Sequence, residues 1–425
     1  MKRLENIIFT IIFIVGIGAF SVLTLIDAKD DWYEFFSNLT VKSFDECEEA
    51  ISQFDEMAEE TIYKRNDIVE LYGLINKSLG KKEINGFEYV IDKNGYITNG
   101  NFWNVVHDRD INALALNVEL FREYLDDRNI PMLFVSFPQK MSDEWNEKYN
   151  GIPYDDYTYE MERLLIQLRK YRVPYVNLDE TLHSSGLNYD ELYFKTDHHW
   201  TSKAAFLGYK DIINKLGEMG QDIGNTDYYT DLSNYTIERY ENMMLGSSGR
   251  SVGINYANGV EDFELYYLDD DAVYEVFNGK DDYNSKQTGV ISDVLINKYI
   301  PEKIESDFKK SIYSYSLYDM YLKGIRSELS IRNTGNEGGK SVLFLCDSYA
   351  TPIATWMAPM CKNIDFLWTK KVSRERIEEY ITQNDYDLVI VGLYPNDFSE
   401  ESIHFPEKER PIEEATEEIQ EEEKE

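Results

Sequence analysis

From about residue 110 the chain alternates between two hydrophobic patterns. Leu114, Val118, Phe121 and Leu125 lie on one face of a helix running to Arg128; Pro131 follows, and then the apolar run Met132–Phe137. The first spacing predicts an amphipathic helix and the second a buried strand. The unit repeats with a helix over Met161–Tyr171, Pro174, and a strand at Tyr175–Leu178. It returns downstream as strand Ser341–Cys346, helix Pro352–Met360, strand Ile364–Trp368, helix Arg374–Gln383 and strand Asp387–Gly392. Such alternation predicts a parallel sheet with helices on both faces, and a site beyond the carboxyl ends of its strands.

Outside this rhythm lie four other patterns. Ile7–Ile26 is an uncharged apolar run of about 20 residues, which as a helix spans roughly 30 Å, a bilayer's hydrocarbon core. Residues 28–85 are polar, with Ile51, Phe54, Met57, Ile62 and Leu71 at near-helical spacing, and read as a stalk or cap. Phe87–Ile97 reads as a hairpin about Lys93-Asn94-Gly95. Residues 225–335, rich in Tyr, Asp, Asn and Gly, read as a mixed β and loop insertion. The predicted organisation is a tip and anchor (1–27), a stalk (28–85), an α/β domain in two parts (86–224 and 336–405) around the insertion, and an acidic disordered tail (406–425).

Charge gives the anchor a direction. Lys2 and Arg3 precede the apolar run while Asp27, Asp30 and Asp31 follow it, which places the N-terminus in the cytoplasm and the rest outside. A cleaved signal peptide is the rival reading. The run is long for one, and Ile26-Asp27-Ala28 lacks the small residues of a cleavage site. The net charge of −36 argues against a nucleic-acid partner. The 33 tyrosines fit either a sugar-binding surface or a genomic bias. Cys47, Cys346 and Cys361 form no disulfide or zinc pattern and read as free thiols.

Candidate chemistry centres on Phe194–Thr201. Of five histidines, His198 and His199 stand together beside Asp197. On an extended backbone Asp197 and His199 share a face and His198 takes the other. A carboxylate beside an imidazole orients a general base. The matching nucleophile is Ser348, after Asp347 at the end of a buried strand, where free N–H groups of the following helix can stabilise an oxyanion. Asn396 at the mouth of the last strand is a candidate oxyanion donor, with Gly392 permitting close approach and Tyr394 as the other candidate there. The glycine-serine loop Leu245–Gly253 lacks a nucleotide-binding pattern and reads as a flexible surface loop, with Arg250 as a candidate substrate contact. A metal at Asp197, His198 and His199 is a rival, weakened because adjacent residues of an extended segment diverge.

The block Thr196-Asp197-His198-His199-Trp200 resembles the signature of the DHHW family, which is similar to the alginate O-acetyltransferases of the SGNH/GDSL hydrolase-like superfamily. The strand ending in Asp347-Ser348 looks like that superfamily's nucleophile block, and Asp387–Asp397 resembles its later strand ending in Gly-x-Asn-Asp. Cys346 departs from the usual glycine, and Leu393-Tyr394-Pro395 adds residues before Asn396. Over residues 86–400 the resemblance implies a three-layer α/β/α fold, with Ser348 as nucleophile, His199 as base and Asp197 as its partner, and no cofactor. It implies acetyl transfer to or from a cell-surface or secreted glycan; a transferase acting outside the cell needs a multipass membrane acyltransferase to deliver acetyl groups. The alternative is a catalytically inactive glycan-binding module.

Overall fold

Apolar residues that alternate along the central strands sort to opposite faces of one sheet, and helices cover both. The structure, a computed structural model, describes residues 2–39, 50, 51, 54, 57, 58, 61–101, 109–140, 155–299 and 312–408. The expected free thiol Cys47 and the tail beyond Lys408 lie outside these residues. The chain divides into two compact units, residues 1–79 and 80–425.

The first unit begins with helix Lys2–Asp27. Its stretch Asn6–Asp27, 22 residues of mean hydropathy 2.6, is long and apolar enough to cross a membrane. None of its most apolar 18-residue window is buried by protein. Helices Lys29–Asn38 and Arg65–Ser78 follow. Trp32, Phe35 and Phe36 gather around Phe54 at ring distances of 5.3, 5.9 and 6.2 Å.

The second unit holds strands β1 (Glu83–Ile84), β2 (Tyr89–Ile91), β3 (Ile97–Asn99), β4 (Met132–Ser136), β5 (Tyr175–Asn177), β6 (Thr236–Met244), β7 (Glu261–Tyr267), β8 (Tyr274–Phe277), β9 (Gln287–Gly289), β10 (Glu328–Asn333), β11 (Lys340–Cys346), β12 (Cys361–Trp368) and β13 (Leu388–Leu393). The main sheet has the order β5-β4-β13-β11-β12-β10-β8-β9. Its first five strands are parallel. Leu133, Val135, Val342, Phe344, Leu388 and Ile390 face one core, shared with helix Ser202–Glu218 and helix Thr351–Met357. Met132, Phe134, Leu343, Leu345, Val389 and Val391 face the other, under helices Ile111–Asp126, Thr158–Lys170 and Arg374–Gln383. This period of two is the signature of strands covered on both sides.

The sheet is mixed: parallel through its first five strands, as the α/β pattern leads one to expect, and antiparallel where the insertion joins it. Strands β8, β9 and β10 come from residues 225–335 and extend the sheet antiparallel beyond β12. Ile331 and Val276 in these strands bury their side chains in the first core, so this segment builds sheet. Strands β6 and β7 form a separate antiparallel pair. The expected hairpin is present as β2 and β3, joined by β1 into a three-stranded sheet. At the end of the described residues, Phe405 stacks on Phe121 at 4.8 Å and the Lys408 N–H donates to Leu120 O.

Candidate active site

The carboxyl ends of the parallel strands gather the candidate residues. β11 runs into Asp347 and the 3-10 turn Ser348–Ala350, which leads into helix Thr351–Met357. The Asp347 side chain caps this turn, accepting from Tyr349 N at 2.9 Å, and its other oxygen accepts from Tyr394 N beyond β13. One carboxylate thus ties the serine turn to the neighbouring strand end. Burial, and then the Asp397 carboxylate, push Asp347 well above the usual carboxylate range, against those two N–H bonds. Ser348 itself is half-buried, and its N–H makes no hydrogen bond among the described residues.

The Asp197–His199 block reaches this corner from a loop closed by the Tyr193–Trp200 bridge. Thr201 caps the next helix by accepting from Ala204 N at 3.1 Å. His199 Nε2 lies 2.7 Å from Ser348 Oγ, and His199 Nδ1 lies 2.6 Å from Asp197 Oδ1. Burial alone would raise the Asp197 carboxyl. The adjoining His199 imidazole and hydrogen bonds from the His199 side chain and backbone outweigh it, holding Asp197 well below the usual range.

The expected face alternation does not hold. Residues 195–199 form a series of bends, and the His198 and His199 rings lie side by side with centroids 3.8 Å apart. Asp197 and His199 still meet because the Asp197 carboxylate turns back to accept the His199 N–H at 3.0 Å. Donor atoms of Asp197, His198 and His199 lie within 4.8 Å of one another, close enough for a metal. Both His199 nitrogens and both Asp197 oxygens already hold hydrogen bonds, however. A metal would have to displace the line that joins them.

Sequence reasoning missed several supports. The glycine-serine loop, expected as flexible surface, holds the aspartate: Ser247 N donates to Asp197 Oδ2 at 2.8 Å and Gly246 N to Thr196 Oγ1 at 2.9 Å. A Cβ on Gly246 would stand 2.3 Å from Asp197 Cβ, so the two chains approach more closely than any side chain allows. Tyr318, from the 225–335 segment, stacks on the His199 ring at 3.7 Å and 10°, and its hydroxyl accepts from Trp200 Nε1 at 3.0 Å. Tyr349 adds a second ring at 4.8 Å from His199 and bonds His198 O. The signal for these was weak: isolated tyrosines in a tyrosine-rich chain carry no spacing.

The remaining candidates divide. Tyr394 is half-buried and stacks flat on Tyr349 at 4.8 Å. Asn396 turns its Oδ1 to Arg109 Nη2 at 3.4 Å. Gly392 does not leave room for a substrate: a Cβ there would meet Phe137 at 2.9 Å and Cys346 Sγ at 3.1 Å, so internal packing fills that space. Arg250 spends Nη1 on Leu245 O at 3.2 Å. Cys346 and Cys361 are buried free thiols.

Residues 102–239 match the family model of the SGNH hydrolase-like domain of the acetyltransferase AlgX; that match includes the Asp197–His199 block and stops short of Ser348. Two structures of Bacillus cereus PatB1, one with a sulfonyl adduct, align at TM-score 0.55 with 18% and 20% identity. They cover 75% of this chain and 97% and 99% of their own. A DHHW family protein from Eubacterium siraeum aligns at TM-score 0.50 and 14% identity, over 75% of this chain and 98% of its own. Comparison with curated proteins gives no match. The expected resemblance and the SGNH-like α/β fold are both borne out.

Proposed function

We propose, from the SGNH hydrolase-like fold of this chain, that it is a membrane-anchored, outward-facing serine acyltransferase or esterase that moves acetyl groups to or from a cell-surface or secreted polysaccharide. The observation that carries the reading is the continuous hydrogen-bonded line Asp197–His199–Ser348. Serine is a weak nucleophile until a base takes its proton. As Ser348 Oγ attacks the acetyl carbonyl carbon, its proton passes to His199 Nε2. Asp197, held ionised by its surroundings, orients the ring and stabilises the imidazolium. The Ser348 N–H is available to the oxyanion.

Collapse of the tetrahedral intermediate leaves acetyl on Ser348 and returns the proton to the departing alcohol. A sugar hydroxyl, or water in the esterase, then gives its proton to His199 and takes the acetyl group. In the transferase the acetyl donor is a multipass membrane partner, since acetyl-CoA is confined to the cytoplasm; in the esterase the departing alcohol is the sugar's own hydroxyl. The sulfonyl adduct of PatB1 suggests the test. Full-length protein in detergent is treated with phenylmethylsulfonyl fluoride, and adducts are mapped by mass spectrometry. The expected adduct is on Ser348, absent in Ser348→Ala and formed about 10²-fold or more slowly in His199→Ala. A folded protein that takes no adduct on Ser348 and does not cleave 4-nitrophenyl acetate refutes the reading and leaves a glycan-binding scaffold.

A further inference from the structure

Lys140 follows β4 and is 2% exposed. Its ammonium donates to three main-chain oxygens: Ile97 O at 2.8 Å, Lys195 O at 3.1 Å and Asp197 O at 2.6 Å. An ammonium has three N–H donors and no acceptor, so this set fills it. On the other edge of the same segment, Glu261 of β7 accepts from Lys195 N at 2.6 Å, Thr196 N at 2.7 Å and Thr196 Oγ1 at 2.6 Å. Residues 195–197 form bends, and their buried main-chain groups find scattered partners. Backbone N–H groups of Ile97 and Gly249 donate to Lys195 O at 2.9 Å and Thr196 O at 2.8 Å. The Lys140 ammonium takes Lys195 O and Asp197 O, and the Glu261 carboxylate takes the N–H groups of Lys195 and Thr196. The two come from different elements, Lys140 from beyond the end of β4 and Glu261 from β7.

We propose that Lys140 and Glu261 are positioning residues: they fix the main chain at 195–197 and, through it, the Asp197 carboxylate against His199. This rests on the acyl-transfer reading above. Neither residue touches the reacting atoms; each acts through the bend that carries Asp197. The groups facing the ammonium are the carboxylates of Glu261, Asp197 and Asp92, the Tyr96 ring at 5.9 Å, and the His198 imidazole. Burial brings Lys140 down to about 8, with Glu261, Asp197 and Asp92 opposing the shift. As a neutral amine it offers two N–H donors to three oxygens, so the clamp loosens as pH rises through that value.

The test uses full-length protein in detergent and follows three readouts: the rate of phenylmethylsulfonyl adduct formation on Ser348, kcat and KM for 4-nitrophenyl acetate, and the pH profile. Lys140→Met and Glu261→Gln are each expected to lower kcat and the labelling rate by about tenfold or more, with KM within about twofold, since displacement of an orienting group acts on the chemical step. Wild type is expected to lose activity with a midpoint near pH 8, a limb that folded Lys140→Met lacks. Wild-type rates in folded Lys140→Met, or a wild-type profile level to about pH 10, overturn the proposal. The wild-type pH profile needs no variant to fold. If wild-type Ser348 takes no adduct, the acyl-transfer reading itself fails; if it does and the variants label equally fast, only the clamp is refuted.

Discussion

A single methyl group placed at Gly246 tests how tightly the aspartate is held. Built on the existing backbone, an alanine Cβ at this position lies 2.3 Å from Asp197 Cβ, 2.5 Å from Asp197 Cα and 2.5 Å from Thr196 O. Two of these three atoms belong to main chain, so no flexible side chain can swing away. Reaching ordinary contact near 3.4 Å requires the two segments to part by roughly 1 Å. That movement stretches the 2.8 Å bond from Ser247 N to Asp197 Oδ2 and the 2.9 Å bond from Gly246 N to Thr196 Oγ1. Overpacking of this kind costs about 1–3 kcal/mol, and a displacement of about 1 Å at a catalytic group costs on the order of 10²-fold in rate. Gly246→Ala is therefore expected to lower the thermal midpoint modestly and the hydrolysis of 4-nitrophenyl acetate severely. Gly217→Ala is the control: it lies in helix Ser202–Glu218 with nothing within 4 Å of its Cβ, and is expected to be neutral or to stabilise by about 1 kcal/mol. A Gly246→Ala protein with wild-type rate and midpoint would show that the loop yields freely and that its contact with Asp197 positions nothing.

The carboxylate itself gives a prediction in activity and in pH. Asp197→Asn is expected to keep the fold and lose roughly 10³–10⁴-fold in kcat, because an amide cannot stabilise the imidazolium; retention of wild-type kcat would exclude Asp197 from the line. Because Asp197 is held below its unfolded value, its contribution to stability is fully present above about pH 4 and is lost as pH falls further through the folded value. The denaturation midpoint of wild type relative to Asp197→Asn should therefore converge only on the acid side. Tyr318 separates stacking from hydrogen bonding. Tyr318→Phe keeps the ring against His199 and strands the Trp200 N–H, so about 1–3 kcal/mol of stability is lost with kcat nearly unchanged. Tyr318→Ala also removes the ring and is expected to lower kcat; equal kcat in the two variants would dismiss the ring as an orienting surface.

What could be read from the chain follows from how each feature is encoded. The parallel core was legible because its strands are buried on both faces, so Met132–Ser136 and Leu388–Leu393 carry continuous apolar runs. The antiparallel extension was not. β9 is three residues long and β8 four, too short for a period to emerge, and their polar positions resemble loop. Ser348, His199 and Asp197 could be named from local context, namely a strand end and a charged pair. Lys140, Ser247, Glu261 and Tyr318 could not, since each acts through main-chain atoms or a ring face that only the folded chain brings near. The glycine-serine loop misled for the same reason: small residues that permit close approach look, without their neighbour, like small residues that permit motion.

The strand order also sets when this site can come into being. β13 lies between β4 and β11 in the sheet, yet it is the last strand of the described residues. Until it is made, β4, which leads to Lys140, and β11, which leads to Ser348, lack the strand that pairs with both. A nascent chain leaving the ribosome or crossing a membrane can hold residues 1–387 and still lack an assembled relay. Distant pairings of this kind form late. A chain cut short anywhere ahead of Leu388 is therefore left with an unfinished sheet.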